Sequence, residues 1–204
     1  MRTETKVIIN KYYSKEEQIL LKKLAKIIEI NPRNKETQRE VWKYDQSLGG
    51  LGGYAASPNP VANPFNSWGE YRNVFRSLQY ARSDMFYHER PRHVITDSAL
   101  HIEALVKLVL SNHNKLSFAY KYREFGKNVY KLYEKKLIDD KIYERLNYLK
   151  KLLNFAKHDT DANRDYTFDY EDAIIFYFEC RQVGNILLKL LNHYTCNNIY
   201  QIQE

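Results

Sequence analysis

Asn154 and His158 are the residues of this chain best suited by type and spacing to do chemistry. They lie four apart in a run rich in leucine and lysine, so a helix carries them about one turn apart on one side. An imidazole exchanges protons near neutral pH, and a carboxamide donates hydrogen bonds to an anionic oxygen. At about 100° per residue, Asn147, Lys150, Lys151 and Lys157 share that polar face. Ile142, Leu146, Leu149, Leu153 and Ala156 form a separate apolar stripe on the same helix. Amines, amides and one imidazole together suit a phosphate. A plainer reading also stands: Lys/Asn faces of amphipathic helices are commonly just solvated, and Lys157 and His158 suit a helix C-terminus through the dipole.

A second candidate is Arg82. A helix over 68–88 places Trp68, Tyr71, Phe75, Leu78 and Met85 on one stripe, and Arg82 falls on that stripe. A charge on an apolar face needs a partner or a function, because burying it alone is costly. Pairing with a carboxylate at the edge of the core, reaching past the stripe to water, or supplying charge to a ligand each satisfies that requirement.

Other motifs carry less. Leu48-Gly49-Gly50-Leu51-Gly52-Gly53 lacks the preceding strand and the Gly-Lys-Ser/Thr of a phosphate loop, and reads as a connection. Asp159-Thr160-Asp161 begins like a calcium loop, but Arg164 stands at the sixth position and Tyr170 at the twelfth, where Gly and Glu belong. Cys180 and Cys196 have no metal-ligand spacing. The residues indicate neither a metal nor a cofactor.

The elements that must position these residues are helical. Lys6 to Asn10 reads as a short strand or an extended arm. Ser14 with Glu17 makes a capping box for a helix to residue 30, and Asn31-Pro32 ends it. Further helices are predicted over 35–46, 68–88 (capped by Ser67 with Glu70), 98–110 (capped by Asp97 or Ser98) and 117–136. The last two are predicted from an Asp139/Asp140 cap to His158 and from Asp169/Asp172 to Tyr194. The 98–110 helix is apolar nearly all round, hence central.

The 204 residues suffice for one good core or one core with a smaller appended region. A composition 44% hydrophobic and 28% charged predicts a soluble protein. No apolar run approaches the roughly 18 residues of a membrane span, and no apolar signal region follows the N-terminus. Two cysteines without a framework fit a reducing cytoplasm. The net charge of +7 favours anionic partners, nucleic acid among them, but a lysine-rich solvated surface accounts for it equally well.

From about Thr96 to Tyr194 the chain resembles a HEPN domain. The resemblance is carried by the helix order, by the run Tyr143-Glu144-Arg145-Leu146-Asn147-Tyr148-Leu149-Lys150-Lys151-Leu152-Leu153-Asn154-Phe155-Ala156-Lys157-His158, and by the final apolar helix. It implies an all-α, antiparallel four-helix bundle over 94–204, preceded by a smaller, mainly helical region over 1–93 with a Gly/Pro-rich loop at 48–65. It also implies dimerisation and a setting in bacterial defence or toxin–antitoxin systems. Many such domains are metal-independent ribonucleases with an Arg-x4-6-His motif; others bind nucleotides or act as non-catalytic modules. Asn154 and His158 match the motif, whereas its Arg is replaced by Leu153. The resemblance therefore implies a degenerate or non-catalytic protein that binds RNA, a nucleotide or a protein partner; the polar-face lysines Lys150, Lys151 and Lys157, with Arg82 from the N-terminal region, are the residues expected to contact nucleic acid. Two alternatives stand beside it: a ribonuclease using His158 with Asn154, and a structural helical subunit.

Overall fold

A computed structural model describes residues 1–48, 68–114, 124–158 and 168–199. Among these the regular structure is all helical: α1 (Thr3–Tyr12), α2 (Lys15–Ile30), α3 (Lys35–Ser47), α4 (Trp68–Ser83), α5 (Pro91–Asn114), α6 (Phe125–Glu134), α7 (Asp140–His158) and α8 (Tyr170–Ile199). A π-turn, Asp84–His88, follows α4 directly. No described helix is long and apolar enough to cross a membrane.

Caps set the starts. Ser14 and Glu17 form the expected reciprocal box on α2. Asp139 Oδ1 accepts from the Ile142 amide at 2.8 Å, and Asp169 Oδ1 from the Asp172 amide at 2.7 Å, each satisfying a first-turn donor of α7 or α8. The Ser67 cap, the glycine run at 49–53, residues 115–123 and the aspartate loop at 159–167 lie outside the described residues.

Several expectations change: the helix expected over 68–88 gives way to the π-turn at Asp84, and the last helix runs to Ile199 rather than Tyr194. Residues 6–10 belong to α1, not to a strand or arm, because Thr5, Ile8 and Ile9 are buried at helical spacing. The amide of Arg2, just before α1, donates to Asp172 Oδ1 at 2.8 Å, tying this helix to the start of α8. Helix α5 begins at Pro91 rather than at Asp97 or Ser98. Proline at a first helical position loses no needed donor and has its φ already set. Glu89, at φ 55°, makes the left-handed break that separates the π-turn from α5.

The core is continuous across the chain. Helix α5 packs chiefly on α4 and α8, and α8 also receives α1, α2 and α7. Every residue from Asp172 to Arg181 is buried, so the first half of α8 is enclosed on all sides, as its nearly unbroken apolar sequence requires. Helices of the first 93 residues provide much of that enclosure, and the 93/94 division falls inside the first turn of α5.

Two buried ion pairs thread this core. Asp45 Oδ1 of α3 accepts from Arg181 Nε of α8 at 2.7 Å, with both side chains fully buried. Arg145 of α7 grips Glu179 of α8 in a fork, Nε–Oε1 at 2.6 Å and Nη2–Oε2 at 2.7 Å. Nη2 also donates to Gln182 Oε1 at 2.8 Å, and the guanidinium lies 5.1 Å from the Tyr12 ring of α1.

Candidate functional site

Helix α7 presents the predicted apolar stripe inward: Ile142, Leu146, Leu149, Leu153 and Ala156 are buried, joined by Leu152 and Arg145. Its polar face opens beside α6. The stacked rings of Tyr133 and Tyr143, 4.2 Å between centroids, and the bond from Tyr133 Oη to Asp140 Oδ1 at 2.7 Å hold the two helices together at one end. Between them lies an open cleft of about 930 Å³.

Lys150, Asn154, Lys157 and His158 all line this cleft. Leu153, only 3% exposed, lies in its floor with Phe125. Asn154, Lys157 and His158 are exposed, and Lys150 is half-buried because its stem crosses α6 at Gly126. A Cβ on residue 126 would stand 3.0 Å from Lys150 Cδ, so the missing side chain is what gives the lysine stem its track. The sequence suggests Gly126 only as a point of looseness; the structure gives it a positioning role.

The opposite wall carries Lys127, Tyr130 and Lys131 of α6, with Glu103, Glu124 and Glu134 at the edges. Each of these carboxylates has its own lysine. Lys131 pairs with Glu134, Lys127 with Glu124 at 3.5 Å, and Lys107 with Glu103 at 2.8 Å. Lys150 and Lys157 pair with no carboxylate among the described residues. Two un-neutralised ammonium groups, a carboxamide and an imidazole therefore open on one space. That set can bind an anionic oxygen and exchange a proton with it. Among the described residues that line the cleft there is no guanidinium fork of the kind that grips phosphate bidentately.

The other predicted residues lie elsewhere. Lys151 is exposed but outside the cleft, with its amine 5.7 Å from the Tyr148 ring. Asn147 turns back along its own helix, donating to the Tyr143 carbonyl at 3.0 Å. Arg82 lines a different groove, between α3 and the α4–π-turn segment. Nothing in the sequence marks Arg92: its Nε donates to the Ala156 carbonyl at 2.5 Å, placing a cation at the negative end of α7, the turn that carries Lys157 and His158. Among the described residues no group of three His, Cys, Asp or Glu side chains could hold a metal.

A cluster at the π-turn was also hidden. Asp84 is buried there, with His93 Nδ1 at 3.9 Å from its Oδ2. Burial, then the neighbouring Asp84 charge, pushes the Asp97 carboxyl up to about 6. The charged form of Asp97 is thus disfavoured in the fold. The cost is complete above about pH 6 and vanishes below the ordinary value of 3.8, where the group is protonated in both states. Asp97→Asn is expected to raise the unfolding free energy at pH 7 and to raise it less at pH 5. Urea unfolding at the two pH values checks this; an equal gain at both would refute it.

Fold and site together define an all-α protein with an open, lysine-lined cleft between two neighbouring helices. No family model, curated protein or solved structure matches the chain.

Proposed function

We propose that the chain is a HEPN-like module that binds RNA through phosphate in the α6/α7 cleft and lacks the cleavage chemistry of the complete motif. The observation that carries this reading is the convergence of Lys150, Asn154, Lys157 and His158 on one opening, with Lys150 laid across Gly126 and neither lysine neutralised by a described carboxylate. Leu153 accounts for the missing chemistry. It belongs to the floor and the core, so the position that bears the arginine of the motif contributes no cation. One transition-state donor of that kind is worth about 3 kcal/mol, roughly a hundredfold in rate.

The test is binding of a labelled single-stranded RNA over a range of salt concentrations, without metal. Each phosphate contact contributes about −0.7 to the slope of log affinity against log salt. Lys150→Ala with Lys157→Ala is expected to weaken binding about tenfold and to flatten the slope by about 1.4. Gly126→Ala, which crowds the Lys150 stem, should reproduce part of that loss. Unchanged binding in the double variant would exclude the cleft. Metal-free cleavage of the RNA that disappears in His158→Ala would replace this reading with that of an active ribonuclease.

A further inference from the structure

We propose that the groove between α3 and the α4–π-turn segment is a separate site for single-stranded nucleic acid, holding bases on Trp42 and Tyr87 and the backbone on surrounding cations. It does not depend on the α6/α7 reading, and the two sites share no lining residue.

The groove encloses about 720 Å³. Its lining includes Lys35, Arg39 and Lys43 of α3 and Arg82 of α4, and no carboxylate among the described residues. Trp42 and Tyr87 flank these cations with 49% and 53% of their surfaces exposed. Beneath them Val41 and Phe86 are buried and belong to the core. What sets Trp42 and Tyr87 apart from other exposed rings is that they line one groove together, over a buried apolar floor and among four cations.

The sequence builds this arrangement by phase. Lys35, Arg39, Trp42 and Lys43 fall on one side of α3 at about 100° per residue. The exposed side of the helix that faces α2 carries Glu36 and Glu40, where Lys23 stands 3.8 Å from Glu40, and its third acid, Asp45, is buried against Arg181. The acids of this helix thus point to α2 or into the core, and among the described residues the groove face of α3 carries cations alone. On the other wall the π-turn buries Phe86 and leaves Tyr87 outward. Arg33, from the α2–α3 connection, donates to the Tyr87 carbonyl at 3.4 Å, a contact from that connection to the π-turn.

Nucleic acid is the ligand that uses every part of this surface. Cations track a phosphate backbone, and aromatic faces receive unstacked bases irrespective of sequence. A duplex hides its base faces and would leave both rings idle. An acidic peptide would engage the cations and leave the rings without a stacking partner.

The test is fluorescence anisotropy of the intact protein with labelled twelve-nucleotide oligo-uridylate and oligo-adenylate. Trp42→Ala is expected to weaken binding about tenfold, within the range of one lost base stack, and Trp42→Phe to restore part of it. Arg39→Gln with Lys43→Gln, both at exposed positions and so safe for folding, should flatten the salt slope by about 0.7 per cation removed. These losses should appear equally in the Lys150→Ala, Lys157→Ala background. If Trp42→Ala and the Arg39/Lys43 variant bind both oligonucleotides like the parent, the groove is not the site, even where the cleft variant loses binding. Competition by poly-glutamate or by adenosine monophosphate as effective as competition by an oligonucleotide would likewise overturn the proposal, in favour of an acidic peptide or a single nucleotide.

Discussion

Glu179→Ala is expected to destabilise the protein by about 3–5 kcal/mol, the cost of leaving one partner of a buried pair without its counter-charge. Arg145 is the partner. Its side chain is 6% exposed and Glu179 is fully buried, so neither recovers hydration when the other is removed. The fork of two bonds at 2.6 and 2.7 Å joins α7 to α8, and the Tyr12 contact brings in α1. Gln182 would remain for Arg145, but one neutral acceptor does not balance a buried guanidinium. A small protein has about 5–15 kcal/mol of stability in total, so this single change removes a large share of it. Urea unfolding at neutral pH measures the loss. The control is Arg145→Met combined with Glu179→Leu, which removes both charges and keeps the volume. It should recover most of the lost stability, because pairing in the interior offsets desolvation without much surplus. A double variant as unstable as Glu179→Ala would show that the pair contributes more than mutual neutralisation.

Mild acid should also weaken the fold, through His101. This histidine is fully buried in α5, where desolvation first and the Arg181 charge second push its pKa down to about 3. The ring fits because α8 has glycine at 184: a Cβ there would stand 2.5 Å from His101 Nε2. Nδ1 lies 2.8 Å from the Val74 carbonyl, which can only accept, so Nδ1 carries the proton of the neutral ring. In the unfolded chain the same ring takes up a proton below its ordinary value of 6.5. The stabilisation is therefore complete above that value and is lost as pH falls toward 3. The group contributes roughly 2 kcal/mol of destabilisation between pH 7 and pH 5. Asp97 works in the opposite direction over the same window and offsets part of it. His101→Leu cannot protonate. It should be weaker than the parent at pH 7, having lost the bond to Val74, yet lose about 2 kcal/mol less between pH 7 and pH 5. Parallel pH dependence in the two proteins would show that His101 is not the acid-sensitive group.

The contrast between Leu153 and Arg145 shows how far the chain could be read alone. Both lie on α7. Leu153 follows the 3.6-residue period, and its place in the core could be stated from spacing. Arg145 is also buried, which no periodicity of apolar residues predicts, because the cause is Glu179 on another helix. Arg82 shows the same limit: its position on an apolar stripe was legible, but the α3 residues that share its groove, Arg39, Trp42 and Lys43, lie some forty positions away in sequence.

By itself, the amino-acid sequence determined the all-helical class, the starts of α2, α7 and α8, the inward stripe of α7, and the gathering of Lys150, Asn154, Lys157 and His158 on one face. These follow from local rules, since caps and helical phase need only residues a few positions apart. The tertiary structure decided that α1 is a helix packed against α8, that Gly126 gives Lys150 its track, that Arg82 belongs to another groove, and that Arg145, Asp45, Glu179 and Arg181 are buried as pairs. Each of these depends on which surfaces meet, and on whether a charge or an apolar side chain finds its partner there.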